Sequence, residues 1–154
     1  MLGALFRLCD NVEKLDIDKI FITVIYEDEV RSFIVGLNRF NQLYEKGETA
    51  DGDIAGYYSY ATEVITEGKK KAGQHYNFFD TGEMYNSFKV QVYSDATFDI
   101  YANTLKDGED VQQKILSKGA GDILGLTGES MTELGKYILP HIIKSIKEQI
   151  LNNV

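Results

Sequence analysis

His75, His141 and Cys9 are the side chains best able to act as base, metal ligand or nucleophile in this chain. Zinc sites draw on cysteines and histidines at short, repeated spacings, and these three residues are widely separated. Cys9 paired with either histidine would be a nucleophile and its base, but no local signature accompanies it. Asp51-Gly52-Asp53 invites a calcium loop. Counted from Asp51, the fifth position is Ala55 and the twelfth is Thr62, so two of the required oxygen ligands are missing. The run reads better as a turn built on Asp and Gly. Gly119-Ala120-Gly121 followed by Gly125 suggests a phosphate loop, but no Lys-Ser/Thr pair ends it, and Gly128 is followed by the repelling Glu129. The many carboxylates imply no acid–base pair without a pocket that shifts their pKa values apart. The expectation is a chain with no catalytic residues, no metal and no cofactor.

Its 154 residues suffice for one domain, 1–154, with one core. A 44% hydrophobic and 26% charged composition is that of a folded domain. The net charge of −8 lacks the basic footprint of a nucleic-acid binder. The single cysteine forms no internal disulfide. The apolar opening, Leu2 to Phe6, is too short for a signal segment, and no later stretch is long enough for a membrane span.

Any functional surface must be positioned by a few elements. Residues 17–46 carry apolar side chains at three- and four-residue spacing: Ile17, Ile20, Phe21, Val24 and Ile25, then Val30, Phe33, Ile34, Leu37, Phe40 and Tyr44. This predicts a long helix, with Glu27-Asp28-Glu29 as a solvated turn or a break. Ile20 to Tyr26 also fits a strand, but the length of the segment favours helix. Residues 47–79 form a glycine- and tyrosine-rich loop, a candidate for ordering on a neighbour. Phe88, Val90 and Val92, then Phe98, Ile100 and Ala102, alternate with polar neighbours around Ser94-Asp95-Ala96. That is a hairpin with one apolar face. Residues 104–128 form a second loop, with a short helix near Glu109 to Leu116. A last helix over 129–151 has a Ser130–Glu133 capping box and a ridge of Leu134, Ile138, Ile142, Ile146 and Ile150. Pro140 should kink or split it. The fold class is α+β: long N-terminal helix, antiparallel hairpin, C-terminal helix and long connecting loops.

Tyr57, Tyr58, Tyr60, Tyr76, Phe78 and Phe79 cluster in the first loop. Tyrosine combines a large contact area with a polar tip, which suits interfaces. Packing of the loop onto its own domain and contact with another subunit fit these residues equally.

Three segments carry a resemblance. The first runs Leu37-Asn38-Arg39-Phe40-Asn41-Gln42-Leu43-Tyr44-Glu45-Lys46-Gly47, then Ala50-Asp51-Gly52 and Gly56-Tyr57-Tyr58-Ser59. The second is Asp80-Thr81-Gly82-Glu83-Met84-Tyr85-Asn86-Ser87-Phe88. The third is Ile123-Leu124-Gly125-Leu126-Thr127 with Glu129. In this order they resemble phage tail-completion and virion morphogenesis proteins, over roughly residues 37–150. Gly121-Asp122 stands where many relatives carry Arg-Pro. The resemblance implies a structural virion protein of the head–tail joining region, assembled in the host cytoplasm. It would be a homo-oligomeric ring subunit between capsid connector and tail, with neck, connector and tail proteins as partners. DNA would pass nearby without specific binding, and no membrane is involved. In this reading Thr81 caps a short helix, Gly82 lets the chain turn, and Met84 and Phe88 face the core. Leu124 and Leu126 anchor a loop, while Thr127 and then Ser130 start the last helix. The alternative is a monomeric adaptor or inhibitor domain that binds one protein.

Overall fold

The computed structural model describes residues 2–151. Three helices open the chain: α1 (Leu2–Glu13), α2 (Ile17–Ile25) and α3 (Asp28–Gly36). The sequence pattern assigns no element to α1. Its Asn11 side chain donates to the Ile150 carbonyl at 3.0 Å, tying it to the last helix. The Asp16 carboxylate caps α2 by accepting from the Lys19 N–H at 3.0 Å. Ile20, Val24 and Ile25 are fully buried on α2, so this segment is helical and not a strand.

Of the two readings of Glu27-Asp28-Glu29, a solvated turn within one helix or a break, the structure has the break, so the stretch 17–46 is not one long helix. Glu27 is extended, with ψ 132°, and ends the first run. The break places Asp28 and Glu29 in the first turn of α3, where the positive end of its dipole favours them.

α3 continues into a π-helical segment, Leu37–Lys46. Bonding from i to i+5 widens the turn and changes which side chains align. Leu37 and Gln42 are buried five residues apart, as are Asn38 and Leu43. The 3.6-residue period put Phe40 and Tyr44 on the apolar face. The wider winding instead leaves them 47% and 46% exposed and turns two amides into the core.

A short helix, α4 (Tyr60–Ile65), interrupts the first loop, and α5 (Glu83–Asn86) precedes the hairpin. Strands β1 (Lys89–Val92) and β2 (Phe98–Tyr101) pair antiparallel, with Val90 opposite Ile100 and Val92 opposite Phe98. Val92 and Ile100 are buried, so the expected apolar face is present. The turn places Ala96 at φ 59°, and the Tyr93 N–H donates to the Thr97 carbonyl. The second loop holds a small hairpin, β3 (Leu105–Lys106) with β4 (Glu109–Asp110), and the helix α6 (Val111–Ser117). The Asp107-Gly108 pair, both at positive φ, makes its turn.

The last helix, α7 (Gly128–Leu151), packs against α1, α2 and α3, and the β1–β2 hairpin lies on α3. Leu134 and Ile138 are buried, and Ile142 and Ile146 pack against the same core. Pro140 does not split α7, which is helical throughout. The cap is Thr127 and not Ser130. The Thr127 hydroxyl accepts from the Ser130 N–H at 3.2 Å, which puts Ser130 inside the first turn. The architecture is therefore α+β, with a helical layer and a small hairpin sharing one core.

Candidate functional site

The π-helical segment holds the three resembling phrases together. The buried Asn38 side chain donates to the carbonyls of Ile123 (3.1 Å) and Gly125 (2.8 Å). Gln42 donates to the Gly125 carbonyl at 3.0 Å and accepts from the Thr127 N–H at 3.0 Å. Arg39 donates to the Tyr85 carbonyl at 2.7 Å, which fixes the Asp80–Phe88 phrase on the other side. Leu124 and Leu126 are partly buried against the core, but the deepest anchor of their loop is the fully buried Ile123. Gly125, at φ 144°, lies so close to Ala50 that a Cβ would stand 3.0 Å from it. Gly121 presses on Thr49 and Asp51, and the Asp122 carboxylate accepts from the Leu124 N–H at 2.7 Å. Gly121 and Asp122 thus have a local structural role.

In the second phrase the Thr81 hydroxyl accepts from the Glu83 N–H at a long 3.4 Å, and Gly82 turns the chain at φ 86°. The Ser87 hydroxyl donates to the Met84 carbonyl at 2.7 Å and accepts from the Asn103 N–H at 2.8 Å. Ser87 thereby joins this phrase to the end of the hairpin. Tyr85, unremarked in the sequence, is nearly fully buried and donates to the Asn77 carbonyl. Burial pushes its phenol well above the ordinary range, so it stays protonated.

The loop 47–79 closes on itself without a neighbour. Tyr58 N–H donates to the Gln74 carbonyl, and Tyr76 N–H to the Gly56 carbonyl, both at 2.9 Å. The Tyr76 ring fills the space that a side chain at Gly56 would need. The aromatic cluster divides. Tyr58, Tyr76 and Phe78 stack edge-to-face and are partly buried. The Tyr58 hydroxyl accepts from the Asn77 N–H and donates to the Asn77 side chain, and burial raises its pKa. Tyr57 and Tyr60 face outward, with Tyr60 75% exposed. Phe79 lies between, edge-on to Tyr44 and Tyr85. Phe40, tilted against the same Tyr85, is also exposed.

The two long loops are far apart in sequence. They meet around a cleft of about 380 Å³. Tyr58, Tyr76, Phe78 and the Asp80–Tyr85 stretch form one side, and Asn103–Lys106 with α6 forms the other. Lys70, Lys106, Lys114 and Lys118 line it. Asp80 is paired with Lys106 and lies 3.9 Å from Lys70. The hydrogen bond from Lys106 holds its carboxyl below the usual range. These lysines are scattered in sequence and carry no periodic signal, so sequence reasoning missed them. A second groove, about 740 Å³, runs between the hairpin and residues 122–126. Its ionisable side chains are Tyr93, Asp99, Tyr101 and Asp122, so it is acidic and aromatic.

Neither histidine joins Cys9 in a hydrogen bond among the described residues, and Cys9 is exposed on α1. His75 sits beside the Tyr76 carbonyl. His141 lies 2.7 Å from Glu27 and 3.7 Å from Glu29, with the three ligand-capable atoms within 4.8 Å of one another. Sequence spacing did not foresee this group. It links α7 to the start of α3, where the helix dipole already favours the carboxylates. No helix among the described residues is long and apolar enough to cross a membrane.

Comparison with protein-family models, with curated proteins and with solved structures finds no match to this chain.

Proposed function

We propose that the chain is a non-enzymatic structural subunit of a phage head–tail joining region, of the neck or tail-completion type. It would close into a ring between capsid connector and tail, in the virion, after assembly in the host cytoplasm. The observation that carries this reading is the π-helical segment. Through Asn38, Arg39 and Gln42 it gathers all three resembling phrases into one unit. They serve as a scaffold that presents loops, which is what an assembly subunit requires.

A closed ring needs two different, complementary patches on each copy. The lysine-lined cleft and the acidic aromatic groove share no lining residue, and their charges are opposite. The net charge of −8 also suits a protein near DNA that must pass without binding. The rival reading is a monomeric adaptor or inhibitor, which would use the lysine-lined cleft alone. Electron microscopy and mass measurement, on the chain alone and with purified connector and tail proteins, decide between them. Rings or joint complexes support assembly. A chain that stays monomeric and ignores those proteins overturns it. A gene position between capsid and tail genes is the second expectation.

A further inference from the structure

We propose that the cleft between the two loops binds an acidic peptide segment that also carries an aromatic or aliphatic side chain. The inference rests on the assembly reading and names the chemistry of the partner at that same surface.

Three observations carry it. The first is charge. In a chain of net charge −8, four of the 16 basic side chains surround this one cavity. The lining carboxylates are only Asp80 and Glu83. Asp80 is shared by Lys70 and Lys106, and Glu109 holds Lys114 from outside at 2.6 Å. Lys118 makes no ion pair among the described residues, and its ammonium stands 5.5 Å from the Tyr76 ring centroid. Lys70 is 19% exposed and lies 5.4 Å from the Tyr58 ring centroid. Lys70 and Lys118 thus lie over aromatic faces, while Lys106 and Lys114 are half exposed and present their ammonium groups at the mouth of the cleft.

The second observation is the apolar part of the lining. Met84 and Ile115 form the inner wall, and Leu105, 65% exposed, stands at the rim. An inorganic anion would use the ammonium groups and leave this surface wet. A side chain with an apolar body beside a carboxylate uses both. The third is size. A volume of about 380 Å³ is at the small end of ligand sites, enough for two or three side chains of an extended segment and too small for a folded domain.

The test is titration of the ¹⁵N-labelled chain with acetylated, amidated tetrapeptides Glu-Phe-Asp-Leu, Gln-Phe-Asn-Leu and Lys-Phe-Lys-Leu, and with inorganic phosphate. The acidic peptide is expected to give saturable amide shifts at Lys70, Thr81, Leu105 and Lys118. The neutral and basic peptides should give none, and phosphate should leave Leu105 unmoved. Lys118→Gln and, separately, Leu105→Ser should each weaken binding about tenfold, with the remaining spectrum unchanged. Both positions are exposed, so both variants should fold. Equal shifts with all three peptides, no shifts with the acidic one, or indifference to both substitutions would overturn the proposal. So would an equal response to phosphate, which would mark a simple anion site. A null titration by a chain that still joins purified neck proteins removes the peptide site alone. Peptide binding by a chain that ignores those proteins removes the assembly reading instead.

Discussion

Gln42 and Thr127 are 85 residues apart in sequence and share a buried hydrogen bond of 3.0 Å, from the Thr127 N–H to the Gln42 amide oxygen. Thr127 is also the cap of α7. One side chain of the π-helical segment therefore fixes where the longest helix begins.

Replacing Gln42 with Ala should destabilise the fold by about 1–3 kcal/mol, because the Thr127 N–H is left buried without an acceptor. The Gly125 carbonyl keeps its Asn38 donor, so the loss stays near one buried group. Urea denaturation measures it, and a change under about 0.5 kcal/mol would show that water replaces the amide.

Two glycines in the first loop should respond differently to alanine. At Gly52, φ 87°, a Cβ meets nothing within 4 Å, so Gly52→Ala should cost only the backbone strain, about 1–2 kcal/mol. At Gly56, φ 147°, the new methyl also runs into the Tyr76 ring. Gly56→Ala should cost more and alter the near-ultraviolet circular dichroism of the Tyr58–Tyr76 pair. Equal losses for the two variants would contradict the packing described.

Ala96→Gly should stabilise the chain by about 1 kcal/mol, because Ala96 holds the left-handed position of the hairpin turn at φ 59°. Thermal melts give the sign. A lower melting temperature would mean that Ala96 packs in a way the turn does not require.

Acid should weaken the fold through Asp80. Its folded pKa lies below the unfolded value, chiefly through the Lys106 hydrogen bond. The native state then binds fewer protons near that range. Its contribution is complete above the unfolded carboxylate pKa of about 4 and is lost as pH falls through the folded value. Asp80→Asn should shrink the drop in melting temperature between neutral pH and pH 3. An unchanged drop would assign acid sensitivity to other carboxylates, such as Glu129 and Glu109, whose pKa values are also lowered by lysine partners.

Pro140→Ala should raise stability by about 1–3 kcal/mol, because an exposed position inside α7 regains a backbone hydrogen bond. Denaturant midpoints of the two chains show it. No gain would indicate that the helix relaxes fully around the ring.

Local signals made part of the fold legible. The hairpin follows from side chains alternating around a tight turn, and the α7 ridge from repeated four-residue spacing. The stretch 17–46 misled where the winding changed. A 3.6-residue period cannot anticipate π-helical alignment, so it turns Phe40 and Tyr44 inward and gives no sign that Asn38 and Gln42 are buried. The site was half legible. Tyr58, Tyr76 and Phe78 stood out by type and do line the cleft. Lys70, Lys106, Lys114 and Lys118 did not, because only the meeting of two loops brings them together.

The long reach of the π-helical segment also bears on the timing of synthesis. At roughly 5–20 residues per second, a ribosome needs about 4–17 s to add the residues between Gln42 and Thr127. During that interval Asn38 and Gln42 have no native acceptors or donors for their amides. These two amides must therefore stay solvated until then, and native closure around them is a late event governed by distant contacts. A nascent chain halted before residue 123 should be open to protease at Leu37–Lys46, while the finished chain resists there.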